Sequence, residues 1–175
     1  MVEHDKFSAD LMELEHLLVR EFRALQELLE TSQRERVCLL SKDDKLMRVV
    51  EDKEVLLDQL GIMEDSRRKA VQDISLALKI QSDSSGSVGS LLPYLNAADA
   101  NRIGRLAEGV VTLAGQTREL NEENHALALV KLDWIKAAQS VFIGMLEPEV
   151  DYRPANSFPA SREAGWGTAS VEIRA

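Results

Sequence analysis

Residues 46–78 read LMRVVEDKEVLLDQLGIMEDSRRKAVQDISLAL, and their periodicity decides the fold. Steps of three and four residues pass through Leu46, Val49, Lys53, Leu56, Leu60, Met63, Arg67, Ala70, Ile74 and Ala77, while Val50, Leu57, Val71 and Leu78 widen the face. Such steps put side chains on one stripe of an α-helix, whereas a half-buried strand needs strict alternation. At a rise of 1.5 Å per residue this helix reaches ~50 Å. The same rhythm occupies residues 8–40: Leu11, Leu14, Leu18, Phe22, Leu25, Leu28 and Leu29 form the stripe, and Glu13, Arg20, Glu27 and Arg34 fall outside it. The first proline is Pro93, so no pyrrolidine ring interrupts either stretch. The heptad phase runs unbroken across Ser41-Lys42-Asp43-Asp44. A solitary helix of that length cannot bury its stripe, however, and Ser41 or Asp43 can accept hydrogen bonds from the free amides of a new helix start. A helical hairpin is therefore expected.

Downstream, Ser82-Asp83-Ser84-Ser85-Gly86-Ser87-Val88-Gly89-Ser90 is small, polar and glycine-bearing, which predicts a flexible connection that adds nothing to a core. Asp99 can cap a third helix running to Leu146. One of its heptad phases is mixed: Ile103, Val110, Thr117, Asn124, Lys131, Ala138 and Met145. The other is apolar: Leu106, Leu113, Leu120, Leu127, Trp134 and Val141. The apolar phase is expected to form the packed seam. The expected fold class is all-α, an antiparallel bundle of three long helices with a disordered C-terminal tail. Residues 1–146 form the helical-bundle domain. Residues 147–175 hold three of the four prolines and the isolated Tyr152, Phe158 and Trp166, and are expected to be a flexible partner-binding tail.

Composition narrows the function. The 175 residues carry 30 acidic side chains against 21 Lys plus Arg, a formal charge of -9, with 29% charged and only 5% aromatic residues. That balance disfavours nucleic acid as a partner. The longest uncharged apolar run, Ala137 to Leu146, is about half the ~20 residues of a membrane span, so no membrane insertion is expected. Met1-Val2-Glu3-His4-Asp5-Lys6 lacks the order of a signal peptide, and Cys38 is the only cysteine. Both point to a reducing, cytoplasmic setting.

Two Glu-x-x-His sequences, Glu13 to His16 and Glu122 to His125, have the spacing of di-iron bundle ligands. With Leu14 and Leu18, and Leu120 and Leu127, facing inward, both motifs point outward, so no metal or other cofactor is expected. No serine or cysteine has a histidine partner at a strained turn, and no glycine-rich loop carries a phosphate-binding lysine. An enzyme is disfavoured. Arg67-Arg68-Lys69 lies among acidic residues and reads as a charged rim or a substrate-facing contact, with Arg67 on the seam. Asn124, on a core phase, either fixes register or recognises a partner. Trp134, and Phe142 beside it, either fill the core or floor a groove.

These residues resemble the FlgN family of flagellar export chaperones over roughly residues 8–155. The resemblance rests on Glu35-Arg36-Val37-Cys38-Leu39-Leu40 closing the first helix, Asp43 opening the next, Lys53-Glu54-Val55-Leu56-Leu57, Arg67-Arg68, and Leu120-Asn121-Glu122-Glu123-Asn124-His125-Ala126-Leu127 with its asparagines three apart. Tyr152-Arg153-Pro154 resembles the tyrosine-bearing tail. The resemblance implies a cytoplasmic, non-enzymatic protein that holds hook-filament junction (hook-associated) proteins before flagellar type III export. It also implies contact with the export gate or ATPase-complex components. On the matching positions it implies partner-binding roles for Asn121, Asn124, Leu127 and Tyr152. The apolar phase adds Trp134 and Val141, with Phe142 just beside it, as residues along which a partner helix packs. A self-associating coiled-coil scaffold, homodimeric when empty, is the alternative that buries the same seam.

Overall fold

The computed structural model describes residues 2–41, 44–80 and 86–146. Helix α1 spans Val2–Leu40, α2 Leu46–Ala77 and α3 Ala97–Leu146, with short 3-10 turns at Val88–Ser90 and Leu92–Tyr94. The described residues contain no strand, so the protein is all-α as expected. The chain divides into two units, Met1–Lys136 and Ala137–Ala175. Of the second, residues 137–146 are described, all within α3.

The hairpin forms where the periodicity places it, but its joint is built differently. Ser41 does not cap α2: its hydroxyl donates back to the Val37 carbonyl at 2.8 Å, extending the last turn of α1. Lys45 precedes α2 without a side-chain cap, and Asp43 lies outside the described residues. At the far end α2 closes in a Schellman motif. The Ile80 amide donates to the Ser75 carbonyl at 3.0 Å and the Lys79 amide to Leu76 at 3.1 Å, with Lys79 in the left-handed region at φ 55°. Asn96, not Asp99, caps α3. Its Oδ1 accepts from the Asp99 amide at 3.0 Å while its amide donates to the Asp99 carboxylate at 2.7 Å, a reciprocal capping arrangement.

Ion pairs and hydrogen bonds set the directions of the helices. Lys53 pairs with Glu35 and Arg67 with Glu21, so α2 descends as α1 ascends. Arg102 meets Glu15, Asn121 meets Ser32, and Lys131 meets the Ser41 carbonyl, so α3 runs parallel to α1.

The core gathers Leu11, Leu14, Leu18 and Leu25 of α1, Val71 and Ile74 of α2, and Ile103 and Val110 of α3. Full burial of each such aliphatic side chain contributes about 1.5–3 kcal/mol. Val88 and Leu91 complete the cluster, which corrects the reading of 82–90 as a connection without a core. Residues 81–85 lie outside the described residues; 86–90 are tied down. Gly86 takes φ 58° against Arg68, its carbonyl accepts from Arg67 at 3.3 Å, and the next turn delivers Val88 inward. The expected disorder of 147–175 likewise falls outside the described residues.

The seam of α3 also differs from expectation. Ile103, Val110, Thr117 and Asn124, the mixed phase, are the buried positions, whereas Leu106, Leu113, Leu120 and Leu127 are half-buried on the flank. On α1, Ser32 lies at the height of Asn121 and Asn124. Its hydroxyl and carbonyl are met there by the two asparagine side chains, which leucines could not do.

Candidate partner-binding surface

Above the apolar core, α1 and α3 meet through a polar layer. Ser32 donates to Asn121 Oδ1 at 2.9 Å. Asn124 is 2% exposed, and its amide donates to the Ser32 carbonyl at 2.8 Å and to Glu35 Oε2 at 3.0 Å. Glu35 Oε2 is also held by Lys53 at 2.5 Å, which brings α2 into the layer. Thr31 donates to Glu27 O and accepts from Arg34, both at 2.8 Å. Arg36 pairs with Glu123, and Lys131 reaches the Ser41 carbonyl at 3.2 Å. The arrangement is incomplete: Thr117 Oγ1 and Asn124 Oδ1 are buried without a hydrogen-bond partner.

Beyond this layer α3 exposes large apolar side chains on several faces, interspersed with Lys131, Asp133 and Lys136. Leu129, Val130, Leu132, Trp134 and Ile135 are all exposed, Trp134 to 77%. No turn of α1 continues beside them, since α1 ends at Leu40 and Lys131 already contacts Ser41. In the second unit Val141, Phe142, Ile143 and Met145 are exposed as well, Phe142 to 67%.

The residues singled out in the sequence thus separate into groups. Asn121 and Asn124 face α1 and hold it, and Leu127 is half-buried beside them. Trp134 is at the surface and takes no part in the core; Val141 and Phe142 are exposed in their own unit. Tyr152 lies outside the described residues. The Glu-x-x-His residues Glu13, His16, Glu122 and His125 are all exposed, on faces away from the core. Sequence reasoning missed Thr31, Ser32 and Glu35. The available signal was Thr31-Ser32 in a stripe otherwise held by leucine, a polar break opposite the polar break of α3.

Elsewhere, Glu21 is 7% exposed, with its Oε2 3.1 Å from Arg67 Nε in an ion pair whose geometry falls short of a hydrogen bond. Burial pushes the Glu21 carboxyl up from 4.5; Arg67 opposes the rise and Glu64 adds to it. Two clefts border these elements. One of about 680 Å³ lies between the end of α1 and the start of α2, with Arg34, Val37, Cys38, Arg48 and Val49 among its lining. Another, of about 420 Å³, is lined by Leu18, Arg67, Val88, Leu92 and Val110. No group of His, Cys, Asp and Glu among the described residues could hold a metal ion. Among the described residues no helix is long and apolar enough to cross a membrane.

The family model described as FlgN protein matches residues 10–155, a span that contains all three helices except the first turns of α1. No curated protein and no solved structure matches the chain.

Proposed function

Because this chain belongs to the FlgN family of flagellar export chaperones, we propose that it binds the terminal amphipathic helices of hook-filament junction proteins, prevents their premature assembly and hands them to the flagellar type III export apparatus. It does this in the bacterial cytoplasm, without catalysis and without a cofactor. The single observation that supports the reading is the exposed apolar girdle of α3 around Trp134. Apolar surface of this kind gains free energy when another amphipathic helix covers it. A junction protein assembles through such helices, so covering them both stores the cargo and blocks its polymerisation.

The residues take different parts in this proposal. Trp134 contacts the cargo helix with Leu127 at its edge, and Val141 and Phe142 add separate contacts from the second unit. Asn121 and Asn124 act through α1, setting the register in which α3 is presented. Residues 1–146 serve as the chaperone domain. Tyr152 represents the tail of 147–175 in contact with cargo, the export gate or ATPase-complex components.

Isothermal titration with the terminal helical segments of junction proteins tests the reading. Saturable one-to-one binding is expected, and Trp134→Ala weakens it by about tenfold or more, the effect of an aromatic anchor, with unchanged helicity by circular dichroism. A chain ending at Leu146 binds more weakly if the tail takes part. Absence of binding to every segment, with a sedimentation mass near twice 19.5 kDa, would instead favour the self-associating scaffold.

A further inference from the structure

Residues 115–125 read Gly-Gln-Thr-Arg-Glu-Leu-Asn-Glu-Glu-Asn-His, with Leu120 their one large apolar side chain. This polar collar divides α3. Before it, Ile103 and Val110 anchor the helix in the apolar core. Within it, the grip on α1 consists of the Ser32–Asn121 and Asn124–Ser32 hydrogen bonds, the Asn124–Glu35 bond and the exposed Arg36–Glu123 pair. Bonds of this kind add little net stability, because water offers the same partners once the helices separate. Docking also carries a cost: Thr117 Oγ1 and Asn124 Oδ1 lose water and gain no partner. Gly115 has open space around it and is the weakest helix former in the collar, so the chain bends most readily there. After the collar, Leu129, Val130, Leu132, Trp134 and Ile135 are exposed around the helix and gain only when something covers them.

We infer that Gly115–Lys136 is a releasable arm of α3, latched to α1 through the polar collar in the empty protein and set free when a partner helix wraps its apolar girdle. The latch regulates the surface proposed above, and its coupling to cargo rests on that reading. A partner shifts the arm only through a better fit to the free state than to the latched one. The half-buried Leu120 and Leu127 supply that difference: the girdle is open in both states, and release adds these two leucines to the surface a partner helix can cover. An apolar collar would weld the arm shut, whereas a collar of solvated side chains without hydrogen bonds would not hold it at all.

Hydrogen exchange on the empty full-length chain tests the latch without any partner. The amides of 117–136 are expected to exchange at least tenfold faster than those of 100–113, because a freed helix frays in water. Equal protection across both stretches would overturn the inference. Thr117→Val removes an unpartnered oxygen while keeping side-chain branching and every hydrogen bond of the collar, and is expected to slow exchange of 117–136 about threefold or more with 100–113 unchanged. If that variant left the arm as fast as before, the collar would not be the latch.

A second variant keeps the test independent of repacking in the seam. Arg36→Cys with Glu123→Cys in a Cys38→Ala chain, joined by a short bismaleimide, ties the arm to α1 through exposed positions. The tied protein is expected to bind a junction-protein terminal segment at least tenfold more weakly than the same variant left unjoined; equal affinity would refute coupling of release to binding. Failure of the unjoined protein to bind any segment would count against the chaperone reading, while the exchange contrast would stand or fall separately.

Discussion

Gly86 and Lys79 occupy the same left-handed backbone region from opposite sides of side-chain chemistry. At Gly86 an added Cβ would lie 3.0 Å from Arg68 Cγ and 3.4 Å from Arg68 Cα. Gly86→Ala should therefore lower stability by about 1–2 kcal/mol, read as a fall in the urea midpoint. Lys79 holds the position after the α2 cap that glycine usually takes, so Lys79→Gly should raise stability by up to about 1 kcal/mol in the same assay. Glu21 makes a pH prediction. Because its folded carboxyl is raised above 4.5, its favourable contribution is complete below that value and is lost as pH rises through the folded value. The urea stability of the native chain relative to Glu21→Gln should therefore decline with increasing pH across the weakly acidic range. A flat difference would mean that Arg67 offsets the burial cost in full.

At the scale of the element, α3 carries glycines in contrasting surroundings. A Cβ at Gly109 would meet Phe22 Cε2 at 2.9 Å, whereas at Gly115 it would meet nothing within 4 Å. Alanine should therefore stabilise the helix at Gly115 by about 0.8–1 kcal/mol. At Gly109 the same propensity gain is outweighed by displacement of the half-buried Phe22, and a net loss of about 1 kcal/mol is expected. Thermal melts of the two variants, one up and one down, check the pair. At Gly109 the Phe22 ring of α1 reaches onto α3, and this is also where the apolar core ends. The helix is thus anchored by close packing at one end and by polar contacts at the other, a division invisible in its unbroken helical span.

For the whole molecule, the charge of -9 and the exposed girdle of α3 act against each other. Mutual repulsion keeps copies apart at neutral pH, and it vanishes as pH approaches 4.9. Sedimentation should show mass rising with concentration near that pH, and Val130→Ser with Trp134→Ala should reduce the rise. Unchanged association in that variant would place the sticky surface elsewhere. The helices and the hairpin were legible because three- and four-residue spacing is a local property: Leu11 to Leu29 and Leu46 to Ile74 must share a stripe in any helix. The family, too, is a matter of sequence, since its match covers residues 10–155. Which phase of α3 would be buried was not legible, because both satisfy the same periodicity. Only tertiary packing selected Thr117 and Asn124 over Leu120 and Leu127, with Ser32 of α1 bonded to Asn121 and Asn124. The chain by itself determined helices, charge and family. Tertiary structure alone decided that the asparagine pair faces α1 and that Trp134 faces solvent, because burial depends on what another helix presents at the same height.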